Sequence, residues 1–309
     1  MIKRTLYFGN PAYLKTLNEQ LVFESPETGE TKQVPIEDIG VLILDHQQIT
    51  ITQALIAKLL SNNIAFITCD HTHHPTGLLL NLDGNNLQSA KFSAQIDATI
   101  PLKKQLWQQT ISAKINNQAT LLNWQKVPIN NMRNWSTEVK SGDADNHEAM
   151  AAAYYWKHLF RFTALSDDDG NTTNFRRERY GDPPNNILNY GYAILRAIIA
   201  RSLVASGLLP TLGIFHKNQY NAYCLADDIM EPYRPFVDRI VLDIVKMNGK
   251  FLELGPTMKR TLLTIPTIDV KIKGEKSPLM VAVQKTTASL SRCYEGKLRK
   301  IEYPEFILP

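Results

Sequence analysis

The stretch Asn185–Asp238, NNILNYGYAILRAIIARSLVASGLLPTLGIFHKNQYNAYCLADDIMEPYRPFVD, decides how the rest of the chain is read. Ile187, Leu188, Gly191, Ile194, Leu195, Ile198 and Ile199 recur at the spacing of one face of an α-helix, so that face is expected in the core. On the same helix Asn185, Asn189, Tyr192 and Arg196 form a second, polar stripe, suited to facing a ligand. Gly207 and Pro210 stop the helix. The chain then crosses GIFHK, with His216 in the crossing, to a second apolar period through Leu225, Ile229, Tyr233, Phe236, Val237 and Ile240.

In that second segment Asp228 and Glu231 stand three apart, which stacks both carboxylates on one side of a helix, where they repel unless a cation joins them. Pro232 and Pro235 have no amide hydrogen, so the carbonyls four residues back, those of Asp228 and Glu231, need another donor or a metal. Oxygen ligands with one imidazole suit Mg2+ or Mn2+ rather than structural zinc, for which paired cysteines are missing. Spacing thus suggests a divalent site from His216 and Glu231 with Asp228 beside it. The bland alternative is a solvated helix face and a polar loop histidine.

At 309 residues, 44% of them hydrophobic and 21% charged, the chain suits a globular protein of two domains with sizeable cores and excludes a disordered one. No apolar run approaches the roughly 20 residues needed to cross a bilayer, and MIKRTLYFGNP lacks the apolar centre of a signal peptide, so a cytoplasmic protein with no membrane partner is expected. Cys69, Cys224 and Cys293 are odd in number and far apart, which argues for reduced thiols rather than a disulfide framework. Residues 1–90 carry five Lys and Arg against nine Asp and Glu, a net of −4, whereas residues 246–300 carry twelve against four, a net of +8. An anion-binding surface therefore belongs to the C-terminal half.

Taken in order, short β-rich runs (KRTLYFG, AYLKTL, QLVFES, TKQVPI, IGVLIL, IAFIT) dominate residues 2–67, interrupted by a helix at QALIAKLLSNN that Thr52 can cap. The histidines of DHTHHP, His71, His73 and His74, read as a solvated loop rather than a metal cluster. The pattern turns helical from Gln88, placing a boundary near residues 82–90, at LDGNN. VPINNMRNWSTEVKSGDADN reads as a polar linker, with Asp145 or Asn146 capping a helix that has Glu148 in its first turn. On its own Glu148 is a dipole-complementing acid at a helix start. SDDDGNTTN reads as a surface loop, and VAVQKTTASLSRCYEGKL as a helix. Arg176, Arg177 and Arg179 of FRRER can hold phosphates, as can Arg196, Arg201, Lys217 and Arg234 near the expected metal.

Together, the segments ALSD to NFRRERYGDPPNNILNYGYAILRAIIARSL, LGIFHKNQYNAYCLADDIMEPYRPFVD and the upstream NHEAMAAAYYWKHLF resemble the CRISPR-associated protein one family, the integrase of spacer acquisition, and most resemble members that accompany type II systems. The resemblance spans nearly the whole chain. It implies an α+β protein, with residues 1–85 a small β-rich dimerisation domain and residues 86–309 a larger all-α catalytic domain. It also implies Glu148, His216 and Glu231 as metal ligands and catalytic residues, with Asp228 an auxiliary ligand or an acceptor behind them. Arg176, Arg177, Asn189, Tyr192, Arg196, Lys217 and Arg234 are the DNA-binding candidates, and His216 can alternatively position or deprotonate the attacking hydroxyl. Implied partners are DNA, as fragment and as repeat target, a second copy of the chain, and CRISPR-associated protein two bridging two dimers, with type II effector or accessory proteins as further candidates.

The implied reaction joins the 3′-hydroxyl of a captured DNA fragment to a repeat phosphodiester. A divalent cation neutralises the charge that develops at phosphorus and at the leaving oxygen. Exchange of one phosphodiester for another is nearly neutral in energy, and no GxxxxGK[ST] loop is present. Two other readings stand beside this one: a structure-specific DNA endonuclease with water as nucleophile, and a non-catalytic DNA-binding scaffold.

Overall fold

A computed structural model of the chain describes residues 3–73, 75–161, 163, 165, 175–178, 181, 183–248 and 254–307. His74, Arg179 and the SDDDGNTTN segment lie outside the described residues. The N-terminal part is two four-stranded sheets. In the first, β1 (Arg4–Phe8), β5 (Ile39–Leu44) and β7 (Ala65–Cys69) run parallel, and β8 (Pro75–Leu79) closes the edge antiparallel. In the second, β2 (Ala12–Leu17), β3 (Gln20–Glu24) and β4 (Thr31–Pro35) form a meander, and β6 (Ile49–Ile51) lies parallel to β2. Helix α1 (Gln53–Ser61) begins where the hydroxyl of Thr52 accepts the Leu55 amide, as its sequence predicts.

Period-two alternation on β5 decides how the two halves meet. Leu42 and Leu44 point into a core shared with Leu14, Leu21, Leu55 and Phe66, whereas Val41 and Ile43 point the other way, into the main core built on the helices. The strand is consequently buried on both faces, which is why it reads as a continuous apolar run.

The helical part comprises α2 (Gln88–Ile96), α3 (Ile100–Trp124), α4 (Asn130–Glu138), α5 (His147–His158), α6 (Asn185–Ala205), α7 (Cys224–Met230), α8 (Arg234–Asn248), α9 (Pro256–Leu262) and α10 (Leu279–Tyr294). The seven residues expected on the core face of α6 are all buried. Gly191 lies at its contact with α8: a Cβ there would come within 2.5 Å of Val237 Cγ1. Gly207, at φ +76°, ends the helix as expected, and the Leu208 amide closes back on the Leu203 carbonyl. By length and composition α6 is apolar enough to cross a bilayer, contrary to the expectation that no run is; 78% of its apolar window is buried inside the protein.

Two expectations are corrected. The C-terminal part is not all helical, because β9 (Asp269–Ile272) and β10 (Glu275–Pro278) form a hairpin, and Lys271 also bridges Glu305. Its signal is local: Val270 and Ile272 are buried and Lys271 exposed, and Lys273 and Gly274 take the positive φ values of a tight turn. VPINNMRNWSTEVKSGDADN is not wholly a linker, since α4 runs through it and buries Met132 and Ser136 among side chains that include α3.

Candidate active site

Three elements bring their side chains into contact, and a fourth carries the expected histidine. Helix α3 carries Lys114 on the face that also buries Ile111, Ile115 and Gln118. Helix α5 brings Glu148, the turn after α7 brings Glu231, and the loop before α7 brings His216. Lys114 Nζ lies 2.7 Å from Glu148 Oε1 and 2.6 Å from Glu231 Oε2, so the two glutamates expected to share a metal share an ammonium. Burial alone would lower the Lys114 pKa, but the two carboxylates outweigh it and hold the amine protonated. Burial likewise opposes the charge of Glu231, yet Arg234 and Lys114 pull its pKa down to about 2. Arg234 Nε stands 2.9 Å from Glu231 Oε1 without aiming its N–H at that oxygen, so the attraction is Coulombic rather than a directed hydrogen bond.

Local sequence explains the placement of both acids. The first-turn amides of α5, those of His147 and Glu148, are taken at 2.9 and 3.0 Å by the carboxylate of Asp143. The expected caps do not serve: Asn146 is left-handed at φ +56° with no side-chain cap, and Asp145 is turned to Lys140. Past α7 the chain tightens into a 3-10 turn, Glu231–Tyr233, where the amide of Glu231 returns to the Asp228 carbonyl and that of Arg234 to the Glu231 carbonyl. The carbonyls freed by Pro232 and Pro235 thus find backbone donors. Asn117, one turn beyond Lys114 on α3, donates to the carbonyl of Pro232 at 2.8 Å and to that of Pro304 at 3.0 Å.

Asp228 serves the histidine. Its fully buried carboxylate accepts the amides of Ile214 (2.6 Å), Phe215 (2.9 Å) and His216 (3.3 Å), and also His216 Nδ1 at 2.5 Å. A carboxylate only accepts, so Nδ1 carries the proton and Nε2 is the nitrogen left for other work. The bond to Asp228 raises the His216 pKa, aided by the fields of Glu231 and Glu148. Gly213 makes the wrap possible, because a Cβ there would fall 2.3 Å from the His216 carbonyl oxygen and 2.8 Å from Asp228 Oδ2. Trp107 stacks on Phe215 and meets the His216 ring edge-on at 5.8 Å.

The polar stripe of α6 faces a cavity of about 830 Å3 lined by Arg177, Asn189, Tyr192, Arg196 and Arg234, with Thr72 and Thr76 of the strand-rich part opposite. Asn185 is buried and holds the incoming segment by accepting the Glu178 amide and donating to the Arg176 carbonyl. Arg177 is bound to the oxygens of Asn185 and Asn189. The Tyr192 ring is met by the guanidinium groups of both Arg177 (5.3 Å) and Arg234 (4.7 Å). Arg196 pairs with Asp227 at 2.7 Å. Arg176 and Lys217 are exposed, Arg176 against Glu178. Arg201 is corrected: buried and bonded to the Asn63 carbonyl, it ties α6 to the strand-rich part and is not free for phosphate.

Beyond Lys114, the sequence reading missed Asp238, which is buried and accepts the hydroxyls of Tyr155 at 2.7 Å and Tyr192 at 2.5 Å. The available signal for Lys114 was a charged residue within a run of otherwise uncharged, helix-spaced residues, whereas Asp238, beside Arg239, gave no such signal. Among the described residues, no group of three or more His, Cys, Asp or Glu draws together closely enough to hold a metal ion, because Lys114 stands between the glutamates and His216 is turned to Asp228. The donor chemistry still fits a small hard cation: two carboxylates already gather a positive charge, and their fields reach the His216 imidazole.

Residues 6–250 match the family model described as CRISPR associated protein Cas1. A CRISPR-associated endonuclease Cas1 of Neisseria meningitidis serogroup C (strain 8013) is 33% identical over 314 aligned positions, covering all of this chain and 98% of that protein. Among solved structures, a casposase bound to integration product superposes with a TM-score of 0.77 at 20% identity, covering 97% of this chain and 92% of that one. A Cas6-RT-Cas1–Cas2 complex superposes with a TM-score of 0.74 at 19% identity over 97% of this chain and 36% of that one.

Proposed function

The chain belongs to the Cas1 family of CRISPR-associated endonucleases and integrases, and from that premise we propose that it joins the 3′-hydroxyl ends of captured DNA fragments to a CRISPR repeat by transesterification. The observation that supports this reading is the meeting of Glu148 and Glu231 on one cation, with His216 held in one orientation by Asp228. Glu148, Glu231 and Nε2 of His216 are the groups that would hold Mg2+ or Mn2+, which supplies neutralisation of charge at the reacting phosphate. Arg177 and Arg234, both packed on the Tyr192 ring, line with Arg196 the cavity where a strand would lie, and Lys217 is exposed beside His216. Asp228 holds the imidazole in the tautomer whose Nε2 accepts a proton or a ligand.

The same proposal takes residues 1–85 as a dimer contact and residues 86–309 as the catalytic part of a cytoplasmic protein. DNA and a Cas2 protein are its partners, by analogy with the casposase bound to integration product and with the Cas6-RT-Cas1–Cas2 complex. Type II effector or accessory proteins are further candidate partners. The test mixes purified protein with labelled fragment and supercoiled repeat plasmid. Joined product that requires Mn2+ or Mg2+ and disappears in Glu148→Ala, His216→Ala and Glu231→Ala is the expected result. Nicks without joining would leave an endonuclease, DNA binding with neither nicks nor joining would leave a scaffold, and joining indifferent to all three substitutions would place the chemistry on other residues.

A further inference from the structure

We propose that Lys114 is the site's own counter-cation, standing between Glu148 and Glu231 where a divalent ion goes, so that metal loading is an exchange that turns the ammonium out. The inference rests on the reading of Glu148 and Glu231 as metal ligands, and adds a competitor built into the fold.

Two carboxylates delivered to one point repel unless one takes a proton or a cation intervenes. Lys114 intervenes at 2.7 and 2.6 Å while only 9% exposed, on a helix face otherwise given to Ile111, Ile115 and Gln118. A lysine is rarely buried unless paired, and here the pairing is with the two acids themselves. The other oxygen of Glu231 faces Arg234, so the group of two carboxylates and two cations, Lys114 and Glu231 buried and Glu148 and Arg234 partly so, is already neutral. A divalent ion added to that group leaves two uncompensated positive charges in a low-dielectric place. One cation must therefore withdraw, and the geometry selects which. Arg234 is packed on the Tyr192 ring at 4.7 Å, whereas Lys114 has a flexible four-carbon stem and borders a cavity of about 200 Å3 with Gln118, Trp156, Arg177 and Tyr192. The displaced ammonium has room there, beside the groups proposed to hold the strand. Metal and DNA phosphate accordingly favour each other's binding, since the phosphate supplies the negative charge that the released lysine lacks.

The test is Mn2+ titration of the full chain, stripped with chelator, by calorimetry, with thermal melts in chelator and in saturating Mn2+. K114M is expected to melt below wild type in chelator, to bind Mn2+ about tenfold or more tightly than wild type, and to gain more in melting temperature on adding it. K114R, which keeps a cation in place, is expected to bind no more tightly than wild type. Mn2+ affinity of K114M equal to or weaker than that of wild type overturns the proposal, as does the absence of binding by both proteins. Should K114M fail to fold, K114Q is judged by the same affinity criterion. Because the readout is binding, a wild type that joins no DNA would remove the proposed function and leave this inference standing.

Discussion

Asp228 and Asp238 are both buried acids ten residues apart, yet they do different work. Asp228 has four donors gathered on it and fixes the loop bearing His216. Asp228→Asn is expected to lower DNA joining about 10- to 100-fold while leaving Mn2+ affinity within a few-fold, since in the proposed site Asp228 orients His216 and does not itself hold the ion. An Mn2+ affinity that collapses with activity would make Asp228 a ligand after all. Asp238 has its pKa raised from 3.8 to about 6 because burial outweighs the two tyrosine hydroxyls that donate to it. A carboxyl that holds its proton more tightly when folded favours the folded state where it is protonated. Its contribution therefore grows as pH falls below about 6 and is lost as pH rises through that value. Relative to Asp238→Asn, wild type should gain roughly 1–3 kcal/mol of stability between pH 7.5 and 4.5 in denaturant titrations. A difference that stays flat across that range would count against the burial argument.

Helix α5 shows how an element aims a functional residue. Its first turn is held by Asp143 from outside the helix, and the amide of Glu148 is one of the two that Asp143 accepts. Asp143→Ala should cost about 1 kcal/mol of stability, read from a melt, and should weaken Mn2+ binding by several-fold because the first turn frays beneath Glu148. A melt displaced with unchanged Mn2+ affinity would show that α3 positions Glu148 without the cap. The expectation of Asp145 or Asn146 as cap failed for a nameable reason. Three acceptor residues lie within four positions, and which one caps depends on the turn taken by Gly142 and Asp143, both at positive φ. By contrast the core face of α6, its Gly207 terminus and the Thr52 cap were legible, because each is a local pattern read within one or two turns.

At the scale of the molecule, the strand-rich and helical parts are pinned by a buried ion pair. Asp45, at the end of β5, is fully buried and accepts Lys259 of α9 at 2.7 Å, Tyr7 at 2.5 Å and His73 at 2.8 Å. Burial would raise the Asp45 pKa, but these three donors outweigh it and hold the acid below its ordinary value. His73, read from sequence as part of a solvated loop, is thereby drawn into the junction. Asp45→Ala leaves Lys259 buried without its partner and should cost roughly 3–5 kcal/mol in denaturant unfolding, with Asp45→Ala/Lys259→Met recovering much of the loss. Failure of the double variant to recover any stability would place the cost in packing rather than charge.

By itself the sequence determined the helix Asn185–Ala205, its buried face and its terminus, the strands β1–β5 and β7, and the adjacency of Asp228 and Glu231, because all of these are set by spacings within a few residues. Only the tertiary structure decided that Asp228 binds the histidine loop and that Lys114, 34 residues from Glu148, sits between two glutamates. It likewise decided that Asp45 meets Lys259 across 214 residues. Such contacts depend on how helices and sheets seat against one another. A periodic pattern says which face is buried, and only packing says which remote charge that face will meet.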